Sequence, residues 1–259
     1  MPHTIVIGAG QAGSSCVAKL RADGYAGQIT LIGGEPIPPY QRPPLSKAYL
    51  LGEITQERLY LRPEAYYADH DITLRLSTRA VAIDPTGKTV TLDSGELLDY
   101  DALVLSTGAH PRTLPAAIGG ALDNVFTVRD LADADSMEPA FAPGHKALII
   151  GGGYIGLEAA AVAAKRGVHV TLVEMADRIL QRVAAPETSD FFRELHTSHG
   201  VDLHEGVGLD RLTGEGAVSG AVLTDGTKLD VDFVIVGVGI APATTLAEAA
   251  GVGVSDGIA

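Results

Sequence analysis

The sequence predicts an α/β protein made of two copies of one unit, each a parallel sheet covered on both faces and carrying a β-hairpin insertion. Three observations predict it. An apolar run, Thr4-Ile5-Val6-Ile7, leads into Gly8-Ala9-Gly10-Gln11-Ala12-Gly13 and a helix of small residues. The pattern restarts at Ala147-Leu148-Ile149-Ile150, before Gly151-Gly152-Gly153-Tyr154-Ile155-Gly156. Strand-like runs then alternate with helical ones, as in a parallel sheet. The third observation is a longer repeat. Val90-Thr91-Leu92-Asp93-Ser94-Gly95 leads through Leu98-Asp99-Tyr100-Asp101 to Leu103-Val104-Leu105-Ser106-Thr107-Gly108. Gly95, Asp99, Asp101 and Gly108 recur as Gly226, Asp230, Asp232 and Gly239 at a constant offset of 131 residues. Two copies of a βαβ unit, a hairpin and a strand ending in glycine account for all three.

Taken in order, the elements read as follows. Residues 3–7 form a strand, 11–23 a helix and 28–32 a strand. A loop rich in proline (Pro36, Pro38, Pro39, Pro43, Pro44) comes next, with a helix starting near Leu45. Residues 72–106 read as short strands, with turns at Pro85-Thr86-Gly87-Lys88 and Asp93-Ser94-Gly95. Residues 129–139 look helical. The second copy opens with the strand from Ala147 and continues with a helix after its glycines. Its next strand is Val168-His169-Val170-Thr171-Leu172-Val173, ending at Glu174. The expected domains are 1–110, with a return at about 242–259, and 111–241.

Composition narrows the class. The chain has 259 residues, 46% of them hydrophobic, enough for two cores. No stretch approaches the ~18 consecutive apolar residues of a membrane span. The formal net charge of -13 opposes nucleic acid or an anionic membrane as partner. The N-terminus runs straight into a strand, with no basic region and cleavage site of a signal peptide. Cys16 is the single cysteine, so no internal disulfide framework is expected and the default location is cytoplasmic.

The glycine motifs carry chemistry. In a βαβ unit the first glycine permits a tight turn, the second lets backbone approach a pyrophosphate, and the third lets helix pack on strand. The N–H groups and dipole of the helix then hold the phosphate charge. Gly8, Gly10 and Gly13 fill these roles in the first motif; Gly151, Gly153 and Gly156 fill them in the second. An acid beyond the second strand should take the ribose hydroxyls: Glu35 in the first copy, Glu174 in the second. A carboxylate at Glu174 repels a 2′-phosphate and favours NADH over NADPH, although Arg178 and Arg182, just beyond it, could tolerate a phosphate. The fold class is therefore two Rossmann-like dinucleotide-binding domains, each with a β-hairpin insertion. Two dinucleotides held by one chain suggest electron transfer between them.

Tyr40-Gln41-Arg42-Pro43-Pro44-Leu45-Ser46-Lys47 is a stiff, cation-bearing segment directly after the first ribose position. Arg42 and Lys47 could face a flavin, where a cation favours the reduced ring. Together with Gly-x-Gly-x-x-Gly, Ser106-Thr107-Gly108-Ala109-His110-Pro111-Arg112 and Gly151-Gly152-Gly153-Tyr154-Ile155-Gly156-Leu157-Glu158, this segment resembles the FAD-dependent, NADH-using ferredoxin reductases. These are putidaredoxin-reductase-like flavoproteins of the pyridine nucleotide-disulfide oxidoreductase fold, which serve bacterial cytochrome P450 and ring-hydroxylating dioxygenase systems. The resemblance covers essentially the whole chain. It implies FAD contacts at Ala12, Glu35, Lys47, Ala80, Thr107, Gly108 and Arg129, with Arg42 and Pro44 near the ring. The family usually has an acid where this chain has Gly34.

For the second site the resemblance implies that Glu158 lies beside the nicotinamide, that Val238 and Gly239 line the same pocket and that Arg182 lies near the adenosine. Tyr154 and Ile155, within the motif, complete the expected contacts, Tyr154 as a cover or as simple packing. Lys47 and Glu158 are the expected catalytic pair. Hydride transfer from nicotinamide to flavin requires orientation and no acid–base group. The flavin then releases electrons singly, so the implied cofactors are FAD and NADH and the implied partner is a [2Fe–2S] ferredoxin. Rubredoxin or another small acceptor, and a redox-sensing role like that of apoptosis-inducing factor, are the alternatives.

The cysteine count separates branches of this fold. Disulfide reductases need a cysteine pair beside the flavin, and peroxidase-like relatives need one cysteine in the loop that here reads Pro43-Pro44-Leu45-Ser46. Cys16 reads as a packed apolar residue. His196, His199 and His204 read as solvated histidines at a helix end, and no metal site is expected. Members of the resembled family run on for well over a hundred further residues, with a Gly-Asp motif for the flavin and a closing C-terminal domain. No Gly-Asp dipeptide occurs here. The expectation is a chain apparently lacking its C-terminal part, which binds FAD weakly or not at all and has little reductase activity.

Overall fold

The computed structural model describes residues 1–259. The chain forms two compact units: Met1–Gln41 with Gln56–His110 and Ala241–Ala259, and Arg42–Thr55 with Pro111–Ile240.

In the first unit a four-stranded parallel sheet runs in the order Ile72–Arg75, Gln28–Ile32, His3–Ile7, Ala102–Leu105. Side chains alternate across it, as the pleat requires. Val6, Ile29 and Leu31 face one side with Val17 of the helix Gln11–Ala22 and the buried Tyr67. Ile5, Ile7 and Ile32 face the other with Val90 and Leu92. That second face is covered by the antiparallel insertion Ala80–Asp84, Thr89–Leu92, Leu97–Asp99.

The second unit repeats the scheme. Its parallel sheet runs Asp202–Glu205, His169–Glu174, Lys146–Ile150, Phe233–Val236, Val125–Phe126. Its insertion is Leu209–Glu215, Ala217–Leu223, Lys228–Asp230, packed through Leu212, Val218 and Leu223. The repeated aspartates have a shared task. Asp101 Oδ2 accepts the His3 N–H at 2.7 Å, and Asp232 Oδ2 accepts the Lys146 N–H at 2.7 Å. Each closes an otherwise unpaired donor at the start of a central strand.

Three expectations change. Pro43–Ser46 is a single 3-10 turn rather than the start of a longer helix, ending where Lys47 leaves the helical region at φ -136° and ψ -113°. The helix expected over 129–139 is Leu131–Met137, opened by a reciprocal Asp130/Asp133 capping box and followed by a 3-10 turn at Glu138–Ala140. The third concerns residues 42–55, expected in the first domain; they pack in the second unit. Arg166 Nη1 donates to the Leu50 carbonyl at 3.1 Å, Tyr49 donates to Asp135 at 2.7 Å, and Lys165 pairs with Glu53 at 2.7 Å. Leu45 and Leu50 are buried.

Candidate functional site

The six motif glycines divide into two kinds. Gly8 and Gly151 have φ of +112° and +108°, the left-handed side that glycine alone enters readily. A Cβ on Gly8 would lie 2.1 Å from the Ser106 carbonyl oxygen; on Gly151, 2.5 Å from that of Gly237. A Cβ on Gly13 or Gly156 would lie 2.0 Å from the oxygen of Gly8 or Gly151. Packing demands these four. Gly10 and Gly153 are extended helix N-caps without a side-chain cap, and a Cβ there would meet nothing within 4 Å. Nothing in the protein requires a glycine at either position. Each therefore leaves open space at the head of a helix, the kind of place where helix N–H groups can hold a phosphate.

In the first unit a cleft of about 260 Å³ adjoins this loop, lined by Gly8, Gly34, Ala80, Thr107 and Ala243 among others. Thr107 Oγ1 donates to the Ala243 carbonyl at 2.6 Å, and the Ala243 N–H donates to Gly108 at 2.9 Å. Ala12 is exposed on the helix just past the loop. Glu35 accepts the Tyr40 hydroxyl at 2.6 Å. A side chain on Gly34 would meet the Arg79 guanidinium at 3.0 Å. Of the expected FAD residues, Gly8, Gly10, Ala12, Gly13, Glu35, Ala80, Thr107 and Gly108 lie in this unit. Arg42, Pro44, Lys47 and Arg129 lie in the second.

There they build a polar cluster. Glu158, a quarter exposed on the helix Tyr154–Lys165, receives two donors on one oxygen: Ser46 Oγ at 2.6 Å and Lys47 Nζ at 2.7 Å, both on Oε2. Lys47 Nζ also donates to the Pro43 carbonyl at 3.0 Å, and Arg42 Nη1 to the Arg129 carbonyl at 2.7 Å. The Arg129 N–H in turn donates to Asp133, whose carboxyl is pushed up from its ordinary range by burial. Ser46 is the functional candidate that sequence reasoning passed over. Its signal was its place beside Lys47 in the stiff segment.

Glu174 ends its strand with both oxygens engaged. Oε2 accepts the Gly152 N–H at 2.7 Å and Oε1 the Ala176 N–H at 2.8 Å. Arg178 is committed to Ser189 Oγ at 2.6 Å and the Ala184 carbonyl at 2.9 Å, whereas Arg182 is exposed. Tyr154 and Ile155 stand at the head of the helix, 56% and 41% exposed. Val238 is also exposed, and Gly239 follows it with φ +104°. A cleft of about 590 Å³ in this unit lies at the other end of the sheet, by Lys146 and Asp232, away from the carboxyl ends of the strands where such sheets bind ligands.

His199 is exposed at the helix end as expected, but His196 is not. His196 is 7% exposed against Phe192, and burial pulls its pKa down. His204 Nε2 lies 2.9 Å from Asp202. No three His, Cys, Asp or Glu side chains come together as a metal group. Cys16 packs partly buried at the edge of the first core. No helix is long and apolar enough to cross a membrane.

Residues 2–259 match the family model described as pyridine nucleotide-disulphide oxidoreductase. Putidaredoxin reductase of Pseudomonas putida is 43% identical, over 99% of this chain and 62% of its own length. Rhodocoxin reductase of Rhodococcus erythropolis is 40% identical, over 98% of this chain and 60% of its own. The chain thus spans about 60% of the length of the curated relatives it matches. Among solved structures, the covalent putidaredoxin reductase–putidaredoxin complex superposes with a TM-score of 0.95 at 42% identity, covering 99% of this chain and 63% of that one.

Proposed function

The chain belongs to the pyridine nucleotide-disulphide oxidoreductase family, and on that premise we propose that it serves an NADH-dependent, FAD-containing reductase that passes electrons singly to a [2Fe–2S] ferredoxin of an oxygenase system. The observation that carries the reading is the open space over Gly10 and Gly153, where two loops otherwise dictated by packing each leave room for a ligand.

Gly8, Gly10, Ala12, Gly13, Glu35, Ala80, Thr107 and Gly108 would hold FAD. When bound, the flavin supplies the conversion of a two-electron donor into one-electron outputs. Gly151, Gly153, Tyr154, Ile155, Gly156, Glu174, Arg182, Val238 and Gly239 would hold NADH. Ser46 and Lys47 saturate Oε2 of Glu158; this fixes the carboxylate plane and leaves Oε1 to meet a ligand. Such orientation is what transfer between two bound rings needs. Arg42, Pro44 and Arg129 brace the same segment. Within these residues Cys16 is the only cysteine, so they contain no thiol pair to relay electrons, which favours an external carrier. The relatives include a reductase solved in complex with its redox partner.

The test is anaerobic titration of the full-length FAD holoprotein with NADH, with and without a [2Fe–2S] ferredoxin. The expected result is bleaching of the flavin band and fast ferredoxin reduction. No bleaching overturns the reductase reading. Bleaching with slow turnover and a long-lived charge-transfer band overturns the ferredoxin partner in favour of a redox-sensing role.

A further inference from the structure

The geometry points to Glu174 as a positioning residue that holds the second glycine loop in its phosphate-binding shape, in addition to any contact with ribose. The inference rests on the NADH reading of that loop.

Gly152 is clamped on three sides. Its N–H is taken by Glu174 Oε2 at 2.7 Å, and its carbonyl accepts the Leu180 N–H at 2.9 Å. Its Cα is pressed so closely that an added Cβ would lie 2.5 Å from Ile179 Cγ2 and 3.2 Å from Glu174 Cβ. The clamping segment is itself braced. The Ile179 N–H donates to Glu205 Oε1 at 2.7 Å, and Arg193 Nε holds the other oxygen of Glu205 at 2.8 Å. Ser189 Oγ receives Arg178 at 2.6 Å and donates to the Ile179 carbonyl at 2.6 Å. Leu180 sits at φ +55°, a conformation that costs a branched residue energy and persists only where its surroundings enforce it.

Glu174 is the charged member of this frame that touches the loop directly. A carboxylate accepting backbone N–H bonds on both oxygens is held in one orientation. Each oxygen keeps a second lone pair for a ribose hydroxyl. The residue that selects the coenzyme would therefore also preorganise the site that grips its pyrophosphate, so its removal would weaken coenzyme binding in general rather than exchange NADH for NADPH.

An NAD analogue lacking both hydroxyls of the adenosine ribose separates the two roles, because Glu174 has nothing on it to accept from. Its dissociation constant, with that of NADH as reference, is read by calorimetry on the wild-type protein, E174A and E174Q. The expected result is analogue binding about tenfold weaker in E174A and about threefold weaker in E174Q, whose amide keeps one acceptor. Unchanged or tighter analogue binding in E174A overturns the inference and leaves the coenzyme reading standing. If E174A does not fold, E174Q decides alone: weaker binding sustains the inference and equal binding overturns it. A wild-type protein that binds neither NADH nor the analogue overturns the coenzyme reading, and the inference with it.

Discussion

The two glycine loops share a frame but are braced from opposite sides. In both, the first glycine donates its N–H to the neighbouring strand: Gly8 to Ile32 at 2.9 Å and Gly151 to Val173 at 2.8 Å. Strand register then makes Gly33 the counterpart of Glu174 and Ala9 that of Gly152. A Cβ on Gly33 would lie 2.5 Å from the Cβ of Ala9, so where one copy has alanine against glycine, the other has glycine against glutamate. The first loop is secured instead by Ser106, whose hydroxyl lies 3.1 Å from the Ile7 carbonyl and 3.0 Å from that of Gly8. In the second copy Gly237 replaces this serine. A duplicated backbone can thus keep its hydrogen-bond accounting closed with different side chains, and the choice moves the acid. Glu174 stands at the strand end; Glu35 stands two residues beyond the corresponding point.

The largest effect that could break this comparison concerns the glycines. Gly13→Ala and Gly156→Ala should each cost about 3 kcal/mol or more, since backbone oxygen must move. Gly10→Ala and Gly153→Ala should cost under about 1 kcal/mol yet weaken dinucleotide binding. Denaturant melts paired with ligand titrations check this. If Gly10→Ala destabilises as much as Gly13→Ala, the division between packing glycines and ligand glycines is wrong.

A smaller effect sharpens the exchange of small and large residues. Gly33→Glu should cost about 1–3 kcal/mol by collision with Ala9. Adding Ala9→Gly should recover part of it, with a coupling of about 1 kcal/mol in a double-mutant cycle. Strict additivity would show that the two positions do not exchange volume.

The smallest effect is electrostatic. The second unit contains a buried histidine, His196, and the first does not. Burial, then the neighbouring His199, lower its pKa from 6.5. The folded state therefore binds fewer protons than the unfolded one between that lowered value and 6.5. Stability is complete above pH 6.5 and declines as pH falls through this window. His196→Gln should flatten the decline in thermal melts between pH 7 and 5; an unchanged slope would assign it to other groups.

Much of this was legible along the chain because the constraints are local. A glycine demanded by positive φ, an acid at a strand end and a turn between alternating runs each follow from a few neighbouring residues. The aspartates of the repeat were legible as a pattern, but their bonds to the N–H groups of His3 and Lys146 were not. The placement of residues 42–55 was illegible for the same reason. Ser46 and Lys47 find Glu158 more than a hundred positions away, which adjacency to Glu35 in the sequence does not reveal. His196 has the sequence context of a solvated helix end, and only the packed core shows its burial.

What the sequence determined by itself was the duplicated α/β scaffold and the glycine turns between strand and helix, because periodicity and glycine sterics act within a few residues. Tertiary structure decided which side chains brace each loop, which unit claims the stiff proline segment, and what Glu174 and Glu158 hold. Those outcomes depend on hydrogen bonds and close packing between distant positions, where a single donor finds its acceptor only after the sheet has assembled.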